Sequence, residues 1–180
     1  MSAKQHKSLT AACRCGAVVF EAAGAPIVTA ACYCTSCQEA GRRFEQLDHA
    51  PPVLTADGGT NFVLHRKDRV RCVKGADRLE EHRLKPDSTT RRMVAACCNS
   101  PMFLEFTKGH WLSLYRDRLT EGAPPLEMRV MTGDRRAGVE LPGDIPNYKT
   151  HSGRFMWKLL GAWLAMGLRV PRTVEGMRAA

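Results

Sequence analysis

Short runs of small, β-branched and aromatic residues, each closed by a turn residue, dominate the first two thirds of the chain. Residues 9–15, 17–21 and 27–33 are such runs, separated by Gly16 and by Gly24-Ala25-Pro26. They predict a hairpin followed by a third strand. Residues 35–46 follow, with Thr35 or Ser36 placed to cap a helix and Gly41 as an early interruption, so one or two helical turns are expected. After a loop around Asp57-Gly58-Gly59, five more strands are expected at 61–65, 70–73, 79–84, 91–96 and 102–106. Residues 111–119 fit either a strand or a short helix.

The pattern changes near Glu121-Gly122-Ala123-Pro124-Pro125, where a long irregular connection begins. It ends in FMWKLLGAWLAMGL (155–168), apolar on nearly every side and bounded by Arg154 and Arg169. A bilayer crossing needs about 20 apolar residues, so this helix is too short to span one. It is expected to pack on the domain or on a second copy of the chain as a homodimer, with contact at a membrane surface as the alternative. Two segments result: a strand-rich domain over 1–120, and a connection plus apolar helix over 121–180.

A length of 180 residues suits one ordinary domain, and 44% hydrophobic with 25% charged residues is globular composition. The opening MSAKQHKSLTAAC has basic residues with no apolar run behind them, which argues against a secretory signal and gives a cytoplasmic expectation. In a reducing compartment eight cysteines point to metal or thiol chemistry instead of a disulfide scaffold. The formal net charge of +9 would attract phosphates or acidic partners. Seven thiolates binding two dications would lower it from +9 to +6, so metal binding weakens the case for nucleic acid.

Seven of the eight cysteines fall in three clusters: Cys13-Arg14-Cys15-Gly16, Cys32-Tyr33-Cys34-Thr35-Ser36-Cys37, and Cys97-Cys98-Asn99-Ser100-Pro101. Cys72 stands apart and is expected to be an ordinary core or surface thiol. Thiolate suits zinc, which accepts four sulfurs at about 2.3 Å and hence about 3.8 Å from one another. Residues i and i+2 of a flat strand lie about 7 Å apart, so Cys13 and Cys15 can share an ion only where the chain bends, as Gly16 allows. The Cys34-x-x-Cys37 spacing meets the requirement with one tight turn, whose amides would favour thiolate charge.

In this order, C-R-C-G, C-Y-C-T-S-C and C-N-S-P-M resemble the glutathione-dependent formaldehyde-activating enzyme family, which includes centromere protein V. The resemblance covers about 9–106, with Gly58-Gly59-Thr60 inside it. It implies a β-tent, mainly β, of two twisted antiparallel sheets carrying zinc sites, to which this chain adds its C-terminal helix. It further implies a structural zinc at Cys13, Cys15 and Cys98, and an open site at Cys32, Cys34 and Cys37 whose fourth position takes a ligand from outside. The implied activity is that of a carbon-sulfur lyase, joining formaldehyde to glutathione. Its small-molecule partner is a thiol or thiol adduct.

The chain departs from that pattern at the late pair. Ala95 stands where a cysteine is expected, Asn99 replaces a glycine, and Cys97 adjoins Cys98. Neighbouring side chains in a strand face opposite ways, so Cys97 and Cys98 can both be ligands only across a sharp turn, which Asn99-Ser100-Pro101 would support. Otherwise Cys97 packs inward and water or another side chain completes the site.

Histidines at 6, 49, 65, 82, 110 and 151 show no metal-ligand spacing among themselves, and His49 is the one a loop would fold back toward the open site. Arg42, Arg43 and Arg66 are candidate contacts for an anionic substrate. Trp111, Trp157 and Trp163 read as core or helix-face anchors. No phosphate-binding glycine loop or serine-nucleophile motif is present. The sequence thus predicts a zinc enzyme acting on the thiol adduct of a small aldehyde. The competing reading is a non-catalytic zinc-stabilised module that binds nucleic acid through its basic surface.

Overall fold

A computed structural model describes residues 8–171. Within the described residues ten strands and two α-helices form: β1 (Leu9–Ala12), β2 (Val19–Ala22), β3 (Val28–Cys32), α1 (Thr35–Glu45), β4 (Thr60–Arg66), β5 (Val70–Lys74), β6 (Leu79–His82), β7 (Thr90–Ala95), β8 (Ser100–Phe106), β9 (Trp111–Tyr115), β10 (Met128–Val130) and α2 (Gly153–Leu164). The fold is mainly β, as expected, with two sheets and a C-terminal helix. One sheet is β1-β2-β5; the other runs β10-β3-β4-β9-β8-β7-β6. The expectation of purely antiparallel sheets fails at one edge, where β10 lies parallel to β3. The long connection between Tyr115 and Met128 returns the chain to that edge in the parallel sense. Residues 111–115 resolve as strand β9.

One core lies where the small sheet meets the large one. Phe20 of β2 and Phe103 of β8 are fully buried and meet edge to face at 5.4 Å between ring centroids. Such a pair adds about 0.5–1.5 kcal/mol beyond its area. A second core lies under the helices and includes Phe44 of α1, Phe62 of β4, and Phe155 and Leu159 of α2.

Two helical expectations are corrected. The cap of α1 is Cys34, not Thr35 or Ser36, and the helix continues for 11 residues through Gly41. A Cβ at Gly41 would lie 2.4 Å from Leu54 Cδ2, so the missing side chain makes room for the loop that crosses the helix. At α2 the Ser152 hydroxyl accepts the Phe155 amide at 3.1 Å, and the helix ends at Leu164, short of 168, as Gly167 and Leu168 turn left-handed. Only one face of α2 is buried. Trp157, expected as an anchor, is 72% exposed, and Met156 and Leu164 share its side.

A buried ion cluster ties β8 to the turn after β4. Glu105 accepts from Lys67 at 2.5 Å and from Arg91 at 2.6 Å, and the Lys67 and Glu105 side chains are almost wholly sealed from solvent.

Candidate metal centre

Two sulfur groups form, and seven of the eight cysteines belong to them. Cys13, Cys15, Cys97 and Cys98 make one; Cys32, Cys34 and Cys37 make the other; within each, the sulfurs lie within 4.8 Å of one another. Cys72 sits apart in β5 and donates to the Lys74 carbonyl at 3.2 Å.

The four-sulfur group is built from two turns. Cys13–Gly16 closes as a tight turn in which the Gly16 amide donates to the Cys13 carbonyl at 2.9 Å and Gly16 takes a φ of +72°. Cys13 and Cys15 Sγ thereby approach to 3.6 Å, closer than a flat strand allows. The second turn links β7 to β8: the Cys98 amide donates to the Ala95 carbonyl, and Asn99 is left-handed with φ +51°. This is the sharp reversal that adjacent cysteines require. It sets Cys97 Sγ 3.8 Å from Cys13, 3.4 Å from Cys15 and 4.0 Å from Cys98. Sulfurs around a tetrahedral zinc lie about 3.8 Å apart, and a disulfide would need about 2.05 Å, so the spacing fits an ion.

Local donors favour charge there. The Val18 amide donates to Cys13 Sγ at 3.2 Å, and the Ser100 hydroxyl lies 3.1 Å from Cys98 Sγ. Burial opposes ionisation of Cys98, yet the Ser100 hydroxyl, the Cys15 amide and the neighbouring thiols hold its pKa below that of a free thiol. Cys97 moves the other way, raised first by burial and then by the Cys15 and Cys13 thiols.

The three-sulfur group joins the end of β3 to the start of α1. Cys32 closes the strand and Cys34 caps the helix, so the Cys37 amide turns back to the Cys34 carbonyl at 3.0 Å and brings the third sulfur in. Hydrogen bonds from the Cys32 and Cys37 thiols hold the Cys34 pKa far below its usual value, whereas that of Cys32 is raised, chiefly by its link to Cys34. Cys37 is drawn down by Cys32, but the Cys34 link and burial outweigh this and push it up to about 12. The thiol that caps the helix is thus the one most readily ionised. Among the described residues no fourth cysteine, histidine or carboxylate joins the group.

Arg92 of β7 lies beside this group. It is 2% exposed, donates to the Ser36 carbonyl at 3.1 Å, has an Nε with no hydrogen-bond partner, and draws the Cys37 thiol down by its charge. In front of the sulfurs is a cavity of about 300 Å³ on one face of the large sheet, with α1 and α2 at its sides. Tyr33, between two of the cysteines, is fixed by its hydroxyl, which donates to Asp57 at 2.8 Å, and by Gly59, where a Cβ would fall 2.8 Å from the tyrosine ring.

Other candidates lie elsewhere. Arg42 and Arg43 pair with Glu39, Arg66 pairs with Asp68, and none of the three lines the cavity. The loop carrying His49 folds toward the four-sulfur group: the His49 carbonyl accepts from Arg14 at 3.2 Å and the Asp48 carbonyl from Asn99 at 2.9 Å. The histidine at the cavity is His151, beside Phe155. Nothing in the spacing of His151 signalled this, because α2 brings it there through tertiary packing. His6 lies outside the described residues.

Fold and site together define a mainly β protein with two clustered-cysteine groups able to hold metal. Residues 5–113, more than half of the chain, match a family of unknown function, DUF6151, and the chain belongs to that family. No curated protein matches. Among solved structures, the chain is similar to a Rhodobacter sphaeroides protein from a structural-genomics programme, at 16% identity and a TM-score of 0.45, covering 77% of this chain and 98% of that one. Among the described residues no helix is long and apolar enough to cross a membrane.

Proposed function

We propose that the protein is a two-zinc enzyme in which Cys13, Cys15, Cys97 and Cys98 hold a structural ion and Cys32, Cys34 and Cys37 hold an ion open to the cavity. Its reaction is the making or breaking of a carbon-sulfur bond between a thiol and a small aldehyde. The observation that carries this reading is a sulfur triplet that has no fourth donor among the described residues, placed at the floor of a cavity. Four closed ligands suit a structural zinc, and three with a vacancy suit a catalytic one. The sulfur-only donor set and the order of the cysteine motifs, which resembles the formaldehyde-activating enzymes, support zinc over harder ions.

When bound, zinc would lower the pKa of a thiol at the fourth position and serve as a Lewis acid. In the forward direction the thiol sulfur bonds to the carbonyl carbon, the carbon-oxygen π bond opens, and the proton lost by sulfur ends on that oxygen. No atom is left over and no oxidant is needed. The cavity walls hold both reactants beside the triplet and exclude bulk water. Arg92 balances the negative charge of three thiolates around a dication.

Metal analysis tests the assignment. Purified protein is expected to carry about two zinc per chain. Cys34→Ser is expected to lose one of them, together with thiol-aldehyde condensation, at unchanged far-ultraviolet circular dichroism. A single zinc that survives this substitution overturns the reading.

A further inference from the structure

The lining of the cavity restricts which thiol can enter, and this inference rests on the function proposed above. Its floor is sulfur, and its walls are Phe62, Leu104, Trp111, Val130 and Phe155. Among the described residues its polar side chains are limited to the hydroxyls of Ser36, Thr90 and Ser113 and the His151 imidazole, and no lysine, arginine, aspartate or glutamate lines it. At about 300 Å³ it sits at the small end of ligand pockets. Glutathione carries two carboxylates and an ammonium group. Inside these walls each charge would lose its water without gaining a partner of opposite sign.

We propose that the cavity takes an uncharged, largely apolar thiol, or the adduct of such a thiol with a small carbonyl compound, and disfavours glutathione. The thiol sulfur meets the triplet, and an aromatic or branched aliphatic body fills the space between Phe62, Leu104 and Trp111. The three hydroxyls are placed to meet the oxygen of an adduct. The arginines that would recognise carboxylates are engaged with Glu39 and Asp68 outside the cavity. Specificity therefore comes from shape and desolvation.

Isothermal titration of the full-length, zinc-loaded protein tests this with three probes: phenylmethanethiol, glutathione, and benzyl alcohol as the sulfur-free analogue. Phenylmethanethiol is expected to bind at least tenfold more tightly than either of the others. Leu104→Arg is expected to weaken it at least tenfold at unchanged zinc content; should that variant not fold, Thr90→Arg brings a charge to the same cavity from the first residue of β7. Glutathione binding as tightly as phenylmethanethiol, with two zinc present, overturns this inference and leaves the proposed function standing. Phenylmethanethiol binding no better than benzyl alcohol overturns both, since sulfur then gains nothing from the triplet.

Discussion

Arg92→Met removes a buried positive charge from beside the sulfur triplet, and on the proposed two-zinc reading its effect on metal retention can be worked from the structure. Three thiolates around a dication leave one net negative charge, and the Arg92 guanidinium, 2% exposed and held by the Ser36 carbonyl, supplies one positive charge. Taking away one member of a buried charge pair costs about 3–5 kcal/mol. The cavity in front of the sulfurs is open to solvent, so the lower figure applies; about 3 kcal/mol is about a hundredfold in affinity. Methionine keeps the apolar length of the side chain, and the hydrogen bond to Ser36, worth about 1 kcal/mol, is lost with and without metal and so leaves the ratio unchanged. The assay is zinc retention against increasing chelator, with the four-sulfur site as internal reference. The variant is expected to release its second zinc at about hundredfold lower chelator strength while the first zinc and the circular dichroism stay unchanged. Arg92→Lys, which keeps the charge without the planar fork, is expected to fall between the two. Retention curves that superimpose for wild type and Arg92→Met would refute the charge-balance argument.

Three further outcomes are expected. Glu105→Gln strips the buried Lys67 of its carboxylate and should cost about 3–5 kcal/mol in urea unfolding; a loss under about 1 kcal/mol would show the pair to be energetically idle. Gly59→Ala forces a methyl group against the Tyr33 ring and should cost about 1–3 kcal/mol, with a matching loss of the second zinc if Tyr33 does position the triplet. Burial holds the pKa of His110 below the free imidazole value, and the ring donates to the Leu159 carbonyl at 2.8 Å and stacks on Trp163, joining α2 to β9. The unfolded chain therefore takes up the proton at higher pH than the folded one. This contribution is full above about pH 6.5 and is lost as pH falls from there through the folded value. The urea midpoint, followed by tryptophan fluorescence, should drop on acidification, and His110→Gln should flatten that slope; an equal slope in the variant rules the assignment out.

The positions of the strands were largely legible because Gly and Pro punctuate apolar runs of strand length, and each of the eight expected runs overlaps an observed strand. β10 escaped notice: three residues carry no period, and the strand exists because β3 offers a free edge. Gly41 misled for a related reason. A glycine within a helix reads as a break, yet here it answers the approach of Leu54, which is distant in sequence. At the site, cysteine spacing marked three clusters and the turn that lets Cys97 join Cys98, while the grouping of the first cluster with the third came only from the family resemblance. The cavity was not legible, since Leu104, Trp111, Val130 and Phe155 meet only after the sheet and α2 assemble. Arg92 was invisible as well: in the sequence it is one of the adjacent pair Arg91-Arg92, and strand alternation sends one to the ion cluster and the other to the sulfurs.

The pocket is assembled from two stretches of chain with separable duties. Every clustered sulfur lies between residues 13 and 98, whereas Val130, His151 and Phe155 reach the same space from beyond the DUF6151 match. Substitution in that later stretch can reshape the doorway without disturbing a single thiol, so the lining can diverge while the sulfur groups stay fixed.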